Sequence, residues 1–174
     1  RHNSRESPCL HLAESLIKTM DFKPGIRILD LGCGKAISSI FMAKEFGVEV
    51  FAVDFKVDVN ENHNRIKEAN IDKLVHPIRA NAFDLPFAYG YFDAVICINS
   101  FQYFGNSEYY LSEYLSPYLK VDGQLGITFL GPEKEFEGKV PAHMEELWWP
   151  EYYYYHSIEW MKMHFERTRL FNLE

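Results

Sequence analysis

The chain has 174 residues, 47% of them hydrophobic, with 18 basic against 25 acidic side chains and a net charge of −7. That length suits one domain with a buried core, and an acidic balance without any Lys/Arg cluster argues against a nucleic-acid partner, which calls for a basic stripe. No apolar run reaches the ~18 residues of a membrane span, the polar start Arg1 to Glu6 is no signal peptide, and three cysteines without paired spacing (Cys9, Cys33 and Cys97) argue against a disulfide framework or a metal site and for a reducing, cytoplasmic setting.

Helix-like and strand-like stretches alternate, which predicts an α/β fold. Ser7-Pro8 fits an N-cap and first helical position, and Leu10, Ala13, Leu16, Ile17 and Met20 follow at helical spacing. Pro24-Gly25 closes this N-terminal segment, residues 1–24. Strand one runs from Ile26 to Leu31, and Ile37 to Phe46 reads as a helix stopped by Gly47. Val48 to Asp54 is strand two. Asp58-Val59-Asn60-Glu61 fits a capping box that opens a helix to about Ala69. Val75 to Ala80 gives strand three, where Pro77 suits a sheet edge. Phe92 to Asn99 is strand four, Asn106 to Leu119 is expected to be helical with Leu111, Leu115 and Leu119 on one face, and Gln124 to Leu130 is strand five. Ser157 to Thr168 is another amphipathic helix, after which Leu170 to Glu174 is expected to begin a sixth strand. A chain that opens on Arg1 rather than Met reads as a fragment or a trimmed form, with the last strands of its sheet incomplete.

The densest information lies in Ile26-Arg27-Ile28-Leu29-Asp30-Leu31-Gly32-Cys33-Gly34-Lys35-Ala36. An apolar run ends in a carboxylate and turns on two glycines, as a buried parallel strand does when it passes through a tight loop into a helix. Without a Cβ, the loop backbone takes positive φ and approaches a ligand closely, and the following helix presents free N–H groups and its positive dipole end. A P-loop is excluded twice, since Leu29 stands where its first glycine belongs and Ala36 where its Mg²⁺-binding hydroxyl belongs. A dinucleotide fingerprint wants a third glycine where Ile37 stands, which makes a nicotinamide site the lesser reading. Asp54 follows Gly34 by twenty residues at the end of strand two, the place from which a carboxylate accepts hydrogen bonds from ribose hydroxyls.

In these motifs the chain resembles the class I S-adenosylmethionine (SAM)-dependent methyltransferases, nearest to the small-molecule branch typified by quinone-biosynthesis methyltransferases. The likeness rests on Leu29 to Gly34, on Val53-Asp54, on Asn81-Ala82 with Leu85-Pro86-Phe87, on Phe92 to Asn99, and on Leu119 to Leu125 as the turn into strand five. It covers residues 26–130, and departs from the family at Ala36, often glycine, and at Asn81, often Asp. The resemblance implies a Rossmann-like, doubly wound, mostly parallel sheet in a three-layer sandwich, forming a single domain over residues 1–174. It implies SAM as cofactor, S-adenosylhomocysteine as product and a small-molecule acceptor. Asp30 with Gly32, Cys33 and Gly34 would hold the methionine end, Asp54 the ribose with Phe55 beside it, and Asn81 with Ala82 the adenine. Asn99 and Ser100 would face the methionine amino group and the acceptor.

Residues 131–160 are rich in rings: Trp148, Trp149, Tyr152, Tyr153, Tyr154, Tyr155 and Trp160, with His143 and His156 among them. After strand five, on the ligand-binding side of an open α/β sheet, such a segment reads as a lid or pocket wall, or else as a homodimer interface or ordinary core. Methyl transfer is an in-line displacement, so positioning and water exclusion carry most of it. An acceptor hydroxyl or carbon acid would also need a base, for which His156 and then Tyr103 are the candidates. A SAM sensor without catalysis is the competing reading from another functional class.

Overall fold

The structure, a computed structural model, describes residues 8–136 and 140–173. Its elements in chain order are α1 (Pro8–Ile17), β1 (Arg27–Leu31), α2 (Ile37–Phe46), β2 (Glu49–Asp54), α3 (Val59–Glu68), β3 (Val75–Arg79), β4 (Phe92–Ile98), β5 (Leu119–Thr128) and α4 (Ile158–Thr168). The strands form one sheet in the order β3-β2-β1-β4-β5, parallel at every pairing. This is the Rossmann-like α/β sandwich that the motifs imply. The chain steps outward from β1 to β3 and then returns to lay β4 on the other side of β1. That reversal opens a crevice at the carboxyl ends of β1 and β4.

Side chains alternate across each strand, and the sheet sorts its apolar residues into two layers. Ile28, Val50, Ala52, Ala94 and Ile96 face a layer containing Ala13, Ile17, Met42, Ala43 and Ile66 from α1, α2 and α3. Leu29, Leu31, Val53, Val95 and Cys97 face Phe101, Tyr110, Leu111, Leu115 and, from α4, Met161. α2 keeps its expected bounds, ended by Gly47 in the left-handed conformation (φ 64°). α3 is capped by Asp58, whose carboxylate accepts from the Asn60 and Glu61 amides. α4 is capped by the Ser157 hydroxyl. Pro77 falls on β3, an outer strand of the sheet, as its missing N–H requires. Ser7, the expected cap of the first helix, lies outside the described residues.

Three expectations fail. Residues 106–119 do not form one α-helix: a π-helical turn spans Tyr110–Leu115 and a 3₁₀ turn spans Ser116–Tyr118. Pro117 cannot donate the bond that an α-helix needs there, yet Leu111, Leu115 and Leu119 are still buried together. β5 begins at Leu119 rather than Gln124, because its pairing with β4 jumps from Phe92↔Leu119 to Ala94↔Gln124. The residues expected as a turn make that irregularity, with Asp122 at φ 62° and Lys120 paired to Asp93. No sixth strand follows α4 among the described residues; Arg169 ends the helix at φ 54°, and Phe171 packs its ring against Phe165 instead.

Candidate functional site

The chain leaves β1 between two flanking strands and has to turn at once. Gly32 and Cys33 both donate their N–H groups to the Val53 carbonyl, at 2.8 and 3.0 Å, which folds the loop over the end of β2. Positive φ recurs at Gly32 (75°), Gly34 (54°) and Ala36 (55°). Ala36 thus holds a left-handed conformation that glycine would adopt without strain. At Gly32 a Cβ would lie 2.4 Å from the Ser100 Cβ, so the loop from β1 and the loop from β4 touch through that missing side chain. Gly34 is the opposite case: nothing lies within 4 Å of where its Cβ would stand, and the space over it is open.

Asp30 is fully buried on the face covered by α2. The Ser38 and Ser39 hydroxyls donate to its Oδ2 at 2.7 and 2.6 Å, tying the end of β1 to the first turn of α2. Its Oδ1 has no partner among the described residues. Burial pushes the carboxyl up to about 6, against the lowering effect of the two serine bonds. Cys33 beside it is buried, and the same desolvation, with the Asp30 and Asp54 charges adding, pushes its thiol up. It is a neutral packing group, as is the buried Cys97 on β4.

Asp54, half-buried at the end of β2, is the hinge of the site. Its Oδ2 accepts from the Gly34 N–H at 2.8 Å, and its Oδ1 accepts from Lys56 and Val57 at 2.8 and 2.9 Å. Of the roughly four accepting positions on a carboxylate, about one is left. Phe55 follows with 59% of its surface exposed. It lines a cavity of about 410 Å³ together with Arg79, Ala80, Asn81, Asp84 and Pro86, a size within the range of small-molecule sites. Asn81 closes a tight turn by accepting from the Phe83 N–H at 3.0 Å. Ala82 is set back from the cavity wall, and its carbonyl accepts from the Tyr110 hydroxyl at 3.2 Å.

At the end of β4, Asn99 is left-handed (φ 52°), and its side-chain oxygen accepts from Gln102 at 3.2 Å. Ser100 is buried, and its hydroxyl donates to the Leu31 carbonyl at 2.7 Å. It serves as a strut beneath the glycine loop. The fold therefore brings Gly32, Cys33, Gly34, Asp54, Asn99 and Ser100 to one end of the sheet, with Asn81 and Phe55, the residue after Asp54, in the cavity wall.

The two base candidates separate. His156 is held through Nδ1 by Glu135 at 3.1 Å and stacks on Trp160 at 3.8 Å, both partners within or beside the aromatic segment. Burial alone would raise the Glu135 carboxyl, but the Ser157 amide and His156 outweigh it and hold it below its ordinary value. Tyr103 is half exposed just after Asn99 and Ser100. Its hydroxyl meets that of Tyr155 at 3.2 Å, and the Lys56 ammonium lies 5.9 Å from its ring centre. Tyr103 thus joins the β4 loop, the corner after β2 and the aromatic segment. Asn106 reinforces the second link by donating to the Tyr154 carbonyl at 2.8 Å.

Sequence reasoning missed Asn62, Arg79 and Gln102. Asn62 is buried on α3 and donates to the Gly34 carbonyl at 2.8 Å. Its signal was an amide at helical spacing from the core residue Ile66, on the apolar side of an otherwise polar helix. Arg79 carries no local motif, and Gln102 reads as surface until its burial is seen.

The family described as "Methyltransferase domain" matches residues 28–123. A demethylmenaquinone methyltransferase of Listeria welshimeri is 37% identical over 100 residues, which make up 55% of this chain and 42% of the relative. The (+)-O-methylkolavelool synthase of Herpetosiphon aurantiacus is 33% identical over 91 residues, 52% of this chain and 32% of that protein. Geranyl diphosphate C-methyltransferase from Streptomyces coelicolor A3(2), solved with S-adenosyl-L-homocysteine, shares the fold with a TM-score of 0.75 at 22% identity, over 92% of this chain and 59% of the other. The chain spans less than half the length of these two curated relatives. The family match ends within β5, before the aromatic segment begins.

Proposed function

The chain belongs to the methyltransferase domain family, and from that membership we propose that it binds SAM in the crevice and directs its methyl group to a small-molecule acceptor. The observation that carries this reading is Asp54: a half-buried carboxylate clamped to the glycine loop by Gly34, with an accepting position to spare, beside a cavity of about 410 Å³. When bound, SAM supplies an electrophilic methyl on a sulfonium. The residues fit such a ligand. The open space above Gly34 lets a ligand approach the backbone; Asp54 accepts from a ribose hydroxyl; and Phe55, Asn81 and Arg79 offer an aromatic face, an amide and a cation to the base and its surroundings.

The acceptor side belongs to Tyr103 and the aromatic segment. The docking of Tyr154 and Tyr155 onto Asn106 and Tyr103 supports a lid over the crevice of its own chain. A lid of this kind keeps water from the reacting atoms. Of the two base candidates, Tyr103 is the better placed to take or orient a proton, while His156 braces the lid against Glu135. Buried thiols at Cys33 and Cys97 suit a reducing cytosolic setting. Names such as demethylmenaquinone and geranyl diphosphate methyltransferase support a small organic acceptor rather than a macromolecule.

Calorimetry with SAM, S-adenosylhomocysteine and NAD tests the cofactor. Saturable binding of the first two and none of the third is expected, and the reverse order removes the proposal. Transfer of labelled methyl into a quinone or prenyl acceptor separates an enzyme from a sensor.

A further inference from the structure

Asn62 lies in the first turn of α3, outside the glycine-loop motif, yet its side chain ends on the glycine loop. It is 2% exposed, and its Nδ2 donates to the Gly34 carbonyl at 2.8 Å and reaches the Cys33 sulfur at 3.9 Å. The amide has only one workable orientation, because its Oδ1 accepts from Arg65 Nη1 at 2.7 Å and a guanidinium can only donate. Arg65 is paired in turn with Glu61 at 3.4 Å.

Gly34 is therefore gripped at both ends. Its N–H goes to Asp54 and its C=O goes to Asn62, across a residue held at φ 54° with open space above it. A glycine in that conformation has no side chain to fix it and loses more chain entropy than any other residue on being ordered. The two grips fix the two peptide planes that meet at Gly34, Asp54 holding the one that carries the N–H and Asn62 the one that carries the C=O, so the left-handed turn between them is held from both sides.

We propose that Asn62 is a positioning residue for the cofactor: by holding the Gly34 carbonyl from beneath, it presets the loop and the Asp54 carboxylate in the geometry that accepts SAM. Arg65 fixes the amide's facing and Glu61 is its outer, dispensable support. The inference rests on the SAM-binding reading above and adds to it a residue outside the recognised motifs.

The test compares wild type with Asn62→Asp, which keeps size and the Arg65 pairing but cannot donate when ionised, and with Asn62→Ser, which is too short to reach and buries no charge. Glu61→Gln is the control. SAM affinity by calorimetry should fall about tenfold in both Asn62 variants, the worth of one good hydrogen bond, and stay within about twofold in the control. Amide exchange in the ligand-free protein supplies the second readout: the Gly34 N–H should exchange faster in both variants, while the Gly47 N–H, bonded to Ala43 at the far end of α2, keeps its protection. Equal acceleration at Gly47 would mean general loosening and would overturn the assignment, as would unchanged SAM affinity in variants that fold. Wild type that ignores SAM sinks the functional reading, and this inference falls with it.

Discussion

Around the glycine loop nearly every polar contact ends on backbone: Val53 O takes two amides, Asp54 takes three, Asn62 takes a carbonyl and Ser100 another. Residues 142–156 are held mainly by rings meeting rings, with Asn106, Tyr103 and Glu135 adding polar ties at Tyr154, Tyr155 and His156. Trp148 packs edge-on against Phe136, Tyr152 and Tyr153 at 5.0–5.6 Å, and Tyr103 meets Tyr154 and Tyr155 at 6.4 Å. Trp149 and Tyr153 still expose 65% and 67% of their surface. Backbone-built sites tolerate little change of shape, because each bond is short and fixed. Ring-built surfaces exchange partners at small cost, each pair being worth ~0.5–1.5 kcal/mol. A cofactor common to many reactions suits the first construction, and an acceptor that varies between relatives suits the second.

The sharpest way to break that contrast is at Gly32. Gly32→Ala adds left-handed strain to a clash with Ser100 and should cost on the order of 3 kcal/mol in unfolding free energy, whereas Gly34→Ala meets only the strain, about 1 kcal/mol. Equal losses in denaturant titrations would show that the two loops are not in contact.

Asp30 gives an effect of similar size with a pH signature. Its folded-state value of about 6 lies above the ordinary 3.8, so the folded chain keeps a proton that the unfolded chain releases. Wild-type stability therefore loses up to about 3 kcal/mol from this group as pH rises from 3.8 to 6, and stays lower above that window. Asp30→Asn should gain on wild type across the same window. Parallel stability curves for the two proteins would place the carboxyl in a wetter site.

Asp54→Ala should weaken SAM binding by ~1–3 kcal/mol, through the three amides left unpaired and the ribose contact proposed for it. Isothermal titration reads it directly. The smallest change sharpens the other side: Tyr103→Phe should leave SAM affinity within about twofold and cost at most ~1 kcal/mol of stability, while methyl transfer falls. His156→Gln should lower neither affinity nor transfer by more than about threefold, and a larger fall in transfer would return the base role to His156.

Much of this architecture is legible in the amino-acid sequence. α2 begins and ends where Ile37, Phe46 and Gly47 say it should, and Pro77 announces an outer strand. Local chemistry fixes such features: a left-handed stop, a missing N–H, a carboxylate that caps. What could not be read depends on tertiary pairing. The long β5 and its irregularity follow from β4 and from the Lys120–Asp93 pair, which no window of sequence contains. The π-helical turn buries the same leucines that an α-helix would have buried. A spacing is enough to place Asp54 at the end of β2, but the bond from Asn62 to Gly34 joins residues 28 apart across a helix and a loop, and no motif encodes it.

β5 also carries a handling consequence. It is the last strand in the sheet order, and from Gln124 to Thr128 its pairing partner lies on one side only among the described residues. The far side is a row of main-chain groups ready to template another strand. The kink at Lys120–Gly123 lies before that row and leaves it in regular register with β4. Preparations of these 174 residues should therefore turn cloudy with rising concentration sooner than their charge of −7 suggests, and light scattering over a concentration series checks it.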